Sequence, residues 1–207
     1  MTHYPRLVAE DVYFCGFSSP KSYGAQSYLI VRPGGNWMTD APRYAPELVK
    51  EIERLGGLSR IFLTHRDDVA DSDIYARHFG AKRIIHEADR DAAPAAEFVL
   101  RGFEPSSPEA DLTIIPVPGH TRGHCVLLYK NRFLFSGDHL EGDAATGSLG
   151  AFRDFCWYDW TEQTRSMERL RSYRFEWVLP GHGGRLHLTP ERMQEELSTV
   201  IAEMKVQ

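Results

Sequence analysis

The chain is poor in cysteine. Cys15, Cys125 and Cys156 are the three thiols in 207 residues, odd in number and far apart, with no Cys-x-x-Cys. That indicates neither a disulfide framework nor a thiolate zinc knuckle, and a reducing, cytoplasmic location is expected. Long apolar runs are missing as well. Nothing approaches the ~18 residues of a membrane span, and the opening MTHYPRLVAED lacks the apolar centre of a signal peptide. There is no basic run, and the formal charge is −5, which argues against nucleic acid or an anionic membrane as partner. A small-molecule substrate is the expected partner. No short-period repeat is visible. Apolar residues at 42% and charged residues at 26% suit an ordinary globular protein with a core of its own. The length allows one large domain or two small ones.

The stretch Ile61–Asp71, IFLTHRDDVAD, organises the rest. Its apolar run reads as a buried strand that delivers His65 and a burst of carboxylates to a loop. Open α/β sheets place their sites at such strand ends. Before it, residues 6–14, 22–31 and 37–40 read as an antiparallel N-terminal sheet with a turn at Pro33-Gly34-Gly35-Asn36. Residues 46–55 read as a helix, started by Pro46 and ended by Gly56. After it, Ser72 can cap a short helix over 73–79. Lys82–His86 is a second strand, and a helical link makes it parallel to the first. His86 should therefore open on the same edge as His65.

Residues 89–111 read as a surface connection with one helical turn near Ala95–Leu100. Leu112–Val117 is a strand running into PGHTRGH at 118–124. Cys125–Tyr129 and Arg132–Phe135 form a hairpin ending in Ser136-Gly137-Asp138-His139. Residues 140–156 read as a Gly/Ala-rich loop. Phe152, Phe155, Trp157, Tyr158 and Trp160 read as core, with a substrate wall as the alternative. A helix over 161–173, a strand over 175–179 ending in Pro180-Gly181-His182, and a helix opened by Thr189-Pro190 complete the chain. Two halves, each strands then helix, are plausible, and no linker separates them.

One syntax recurs: a buried strand ends, often at glycine, and His or Asp follows. His65, His120, Asp138 and His182 all fit it. Imidazoles and carboxylates delivered by rigid strand ends suit a metal better than a nucleophilic triad. Through LTH (63–65), PGHTRGH (118–124), SGDHL (136–140) and LPGHG (179–183) the chain resembles the metallo-β-lactamase superfamily, in order and spacing and over nearly its whole length. The resemblance implies a single domain over 1–207 with an α/β, four-layer αβ/βα sandwich. The superfamily's first motif, His-x-His-x-Asp-His, is reduced here. Only His65 remains, Asp67 takes the second His position, and Val69 and Ala70 stand where the Asp and His of a second metal belong.

The resemblance implies metal ligands His65, Asp67, His120, Asp138 and His182. A single divalent ion on His65, His120 and Asp138 is the simplest set, with zinc or iron expected and manganese possible. Asp67 or Asp68 is the candidate general base. His86 reads as a hydrogen-bonded rim histidine, or as the occupant of a vacant ligand position. Asp67, Asp68 and Asp71 have helix capping as their structural alternative. His124 and His139 read as non-ligands; His3, His78 and His187 carry no signal. The expected activity is metal-dependent hydrolysis of a small ester, thioester or lactone-like bond. A mononuclear non-haem iron enzyme like the persulfide dioxygenases, and a non-catalytic binding protein, are the two alternatives.

Overall fold

The computed structural model describes residues 4–19 and 23–207; His3 and the first residue of the run at 22–31 lie outside them. The chain divides into two compact units, Met1–Leu100 and Arg101–Gln207.

The first unit is built on a seven-stranded mixed sheet. Strands β1 (Arg6–Ala9), β2 (Val12–Phe17), β3 (Gln26–Ile30) and β4 (Trp37–Thr39) are antiparallel in sequence order, as the apolar runs predict. The turn before β4 is tied down by Asn36. Its side chain accepts the Arg32 N–H and donates to the carbonyls of Leu55 and Gly57. Helix α1 (Pro46–Arg54) starts on proline and buries Leu48, Val49 and Ile52. Strands β5 (Arg60–Phe62), β6 (Lys82–His86) and β7 (Phe98–Leu100) extend the sheet in parallel from β4. Helix α2 (Ser72–Phe79) links β5 to β6 and ends at Gly80, in the left-handed conformation. Leu29, Met38, Ile61, Leu63 and Ile85 of the sheet region pack with these helices into one core. Each such large side chain contributes roughly 1.5–3 kcal/mol by burial.

Two local expectations fail in this unit. Ser72 is the first helical residue rather than the cap. Asp71 holds the cap position but makes no capping bond; its carboxylate accepts the Tyr44 N–H at 2.8 Å. The helical turn expected at 95–100 is strand β7, because the short apolar run Phe98-Val99-Leu100 pairs with β6. The helical turn of this region comes earlier, as a 3-10 turn over Glu87–Ala92.

The second unit carries β8 (Ser106–Glu109), β9 (Leu112–Pro116), β10 (Cys125–Tyr129), β11 (Phe133–Gly137), β12 (Glu141–Asp143), β13 (Ser148–Gly150), β14 (Trp177–Pro180) and β15 (Leu186–His187). Its main sheet is mixed, in the order β15-β14-β11-β10-β9-β8, and β12 and β13 form a separate hairpin. The 140–156 segment is therefore more ordered than a loop. The tight β10–β11 link places Lys130 and Asn131 at φ 54° and 48°. Helices α3 (Trp160–Leu170) and α4 (Pro190–Met204) are capped by Asp159 and Thr189 side chains. They cover the sheet with Met167, Leu170, Met193, Leu197, Val200 and Ile201.

The aromatic group is not core. Phe152, Phe155, Trp157 and Tyr158 are each more than half exposed, and Trp160 alone packs against the core. All three cysteines are free thiols; Cys15 and Cys125 are buried and Cys156 is half-buried. Among the described residues, no helix is long and apolar enough to cross a membrane.

Candidate functional site

In the first unit, the parallel run β4-β5-β6 sends three strand ends to one edge: Asp40 follows β4, Thr64 and His65 follow β5, and His86 ends β6. Asp40 is buried in the left-handed region, at φ 52°. Its carboxylate accepts the Thr64 N–H at 2.8 Å and faces the Thr64 hydroxyl at 3.0 Å. Thr64 Oγ1 also lies 3.0 Å from His65 Nδ1. An ionised carboxylate only accepts, so the hydroxyl gives its one proton to Asp40 and accepts from His65. His65 thus carries its proton on Nδ1 and presents Nε2 with a lone pair, the form a metal requires.

Asp67 and Asp68 stay beside this ring. Asp67 Oδ2 is 3.6 Å from His65 Nε2, and the fully buried Asp68 has Oδ2 4.0 Å from Nδ1. The turn carrying them is held by the Asp89 carboxylate, which accepts the Arg66 N–H at 3.2 Å. Val69 and Ala70 pack against the core of the unit and offer no ligand atom. His86 is buried rather than a surface or rim residue. Its Nδ1 accepts the Ala88 N–H at 3.1 Å and so caps the turn that carries Asp89.

In the second unit, β11 and β14 are parallel neighbours, and β9 runs the same way because each is antiparallel or parallel in turn through β10. Their C-terminal ends lead to His120, Asp138 and His182. Asp138 Oδ2 stands 3.6 Å from His120 Nε2 and 3.7 Å from His182 Nε2. These distances are too long for hydrogen bonds. They suit atoms on a shared ion: bonds of 2.0–2.2 Å at tetrahedral angles separate ligands by about 3.4 Å.

His124 reaches behind this group. Its Nε2 accepts the Asp138 N–H at 3.1 Å, so it orients the carboxylate's own backbone. His139 is fully buried, and burial, with the charge of His120 adding, pushes its imidazole down to about 3, so it stays neutral. Burial and then the charges of Asp138 and Asp143 push the Glu141 carboxyl above its usual range. Gly181 N–H donates to Gly137 O at 2.8 Å, and Gly142 N–H to Gly184 O at 2.9 Å; these bonds anchor the loop of His182 at both ends.

Sequence reasoning found the histidines and aspartates at the strand ends. It missed Asp40, Thr64, Asp89 and the orienting role of His124. A Thr before the first His, and an Asp closing a short strand just upstream, were the available signals.

No family model matches the chain. Two hydroxyacylglutathione hydrolases are similar in sequence. That of Fuscovulum blasticum is 32% identical over 111 residues, covering 52% of this chain and 44% of that protein. That of Xanthomonas oryzae pv. oryzae (strain MAFF 311018) is 31% identical over 134 residues, covering 62% and 49%. The chain thus matches about half the length of either. The Pseudomonas aeruginosa metallo-β-lactamase FIM-1, solved in a mono-zinc form, superposes with a TM-score of 0.70 over 99% of this chain and 96% of that one, at 16% identity. The architecture is the metallo-β-lactamase fold, α/β with two mixed sheets and flanking helices. The fold is that of the metallo-β-lactamase superfamily, and the sequence is similar over part of its length to hydroxyacylglutathione hydrolases.

Proposed function

We propose that this chain is a metal-dependent hydrolase of small thioesters or esters, with His120 and Asp138 of the second unit as ligands of a divalent ion. The observation that carries the proposal is the position of Asp138 Oδ2, at 3.6 and 3.7 Å from two imidazole nitrogens, a ligand spacing with no hydrogen bond in it. The donor chemistry supports it: the strand ends offer imidazole and carboxylate ligand atoms. Within the first unit, the tautomer imposed on His65 by Thr64 and Asp40 leaves its Nε2 in the form a metal requires as well. An all-imidazole-and-carboxylate set suits zinc, iron or manganese.

Thioesters are favoured because the similar hydrolases act on acylglutathione, whose acyl carbon is bound to sulfur. A divalent ion supplies Lewis acidity, polarising the substrate carbonyl and acidifying water. Asp67, whose side chain is about a quarter exposed, is assigned as the proton acceptor from the attacking water. The water oxygen bonds to the acyl carbon, the carbon–sulfur bond breaks, and the proton passes to the departing thiolate. The products are a carboxylic acid and a thiol. With three free cysteines, we place the protein in the cytoplasm.

The hydrolase reading is tested by turnover of a series of S-acyl thiols and esters after reconstitution with zinc, iron or manganese. Metal-dependent release of thiol that falls at least a hundredfold in Asp67→Ala and His120→Ala is expected. Oxygen uptake with a thiol substrate, in place of acyl transfer to water, would instead support the iron redox chemistry.

A further inference from the structure

The second unit has an unusual concentration of exposed rings. Phe152, Phe155, Trp157 and Tyr158 fall within seven consecutive residues and are 51–64% exposed. Scattered surface apolar residues are ordinary, but a contiguous group of large rings marks a binding surface. Phe152 and Phe155 also pack edge to face, with centroids 6.5 Å apart, so part of the group is preformed.

The segment is fastened to the loop of His120. The N–H groups of Trp157 and Tyr158 both donate to His120 O, at 3.0 and 3.1 Å, and Asp159 N–H donates to Gly119 O at 3.0 Å. The Cys156 thiol points to the same Gly119 carbonyl at 3.2 Å. The Trp157 ring lies edge to face with the His120 ring, centroids 6.2 Å apart. Behind the segment, Asp159 caps α3. A Cβ on Gly119 would run into the backbone of Gln163 on that helix. The rings are thus held by backbone bonds against a candidate metal ligand, on a rigid support.

We propose that Phe152–Tyr158 is the recognition strap of this chain, and that Phe155 and Trp157 select substrates carrying an apolar, preferably aryl, acyl group. The inference rests on the hydrolase reading for the word substrate, but the recognition is a binding property. Small-ligand sites are lined mainly by apolar and aromatic side chains with a few polar groups fixing orientation. Here His120 supplies the polar centre and the strap the apolar wall. A phenyl group that moves from water onto these rings gains about tenfold in affinity over a short alkyl chain.

The test compares 4-phenylbutanoate with butanoate, mimics of the acid product, on the metal-loaded protein by calorimetry. A chemical-shift titration of the indole N–H signals runs in parallel. The phenyl acid should bind about tenfold more tightly, and the preference should fall to near unity in Trp157→Ala and Phe155→Ala. Phe155→Ala should keep the wild-type metal content and melting curve, since its ring is exposed; Trp157→Ala, which also removes a ring contact to His120, is compared at equal metal loading. Phe98→Ala, an exposed ring on β7, should keep the preference. For phenylbutanoyl and butanoyl thioesters, the ratio of kcat/KM should follow the same pattern. Equal binding of the two acids by the wild type, or a preference that survives both substitutions, overturns the proposal. So does a change in self-association alone, which would make the rings a protein interface. Strap-dependent binding of the phenyl acid by a protein that cleaves no ester or thioester would remove the hydrolase reading and leave the strap in place.

Discussion

Thr64 has a single hydroxyl proton, and its use fixes the chemistry of His65. Because the proton goes to Asp40, His65 donates from Nδ1 and keeps Nε2 as a lone pair. Asp40→Ala should therefore act twice. It strands the buried Thr64 N–H, costing about 1–3 kcal/mol in chemical denaturation. It also releases the tautomer, lowering metal affinity about 10–100-fold in a competition titration with a chromogenic chelator. Thr64→Val, which keeps the shape, should lose metal affinity with a smaller cost in stability. His124 works on Asp138 in the same manner through the N–H it accepts. His124→Ala should weaken metal binding by a similar factor, and His124→Gln, which keeps an acceptor, should restore part of it. His65, His120, Asp138 and His182 were legible in the sequence because each follows an apolar run at a turn. Asp40 was not: it lies 24 positions from Thr64, and only the pairing of β4 with β5 joins them. Nor was the orientation by His124, since a histidine read as a non-ligand says nothing about which amide it meets.

Strand direction converts these residues into groups. Apolar periodicity was enough to find β5, β6, β9, β10 and β11, and the helical link between β5 and β6 gave their parallel sense. The weaker elements escaped. β12 and β13 hold one buried apolar side chain, Leu149, among Glu, Gly, Asp and Ser, so their hairpin has no hydrophobic signature. The aromatic segment misled for the opposite reason. Its composition is that of a core, but the backbone bonds to Gly119 and His120 hold it at the surface. Gly119 is the tightest point of that arrangement, with φ 151° and the Gln163 backbone where a side chain would be. Gly119→Ala must displace α3 or the His120 loop. A loss of about 2 kcal/mol or more is expected, read as a lower melting temperature, together with weaker metal binding. Ser72→Ala, by contrast, should leave α2 nearly unchanged, because no capping bond is lost; thermal unfolding will register the difference.

Each unit carries its own sheet and its own helices, and each ends a set of like-directed strands in histidine and aspartate. Four short motifs in a fixed order made the fold readable from sequence. The substrate was not readable, because one architecture hosts many reactions. The replacement of two ligand positions by Val69 and Ala70, which are partly buried against the core of the first unit, limits the chain to fewer ligands than the superfamily's full motif. Everything proposed about catalysis depends on a shared ion. Elemental analysis of tag-free protein, alongside His120→Ala and Asp138→Ala in the second unit, decides the matter. Close to one divalent ion per wild-type chain, lost from both variants while their folds persist, is the expected result. A wild-type protein that stays metal-free after reconstitution, or either variant retaining a full equivalent, would contradict it.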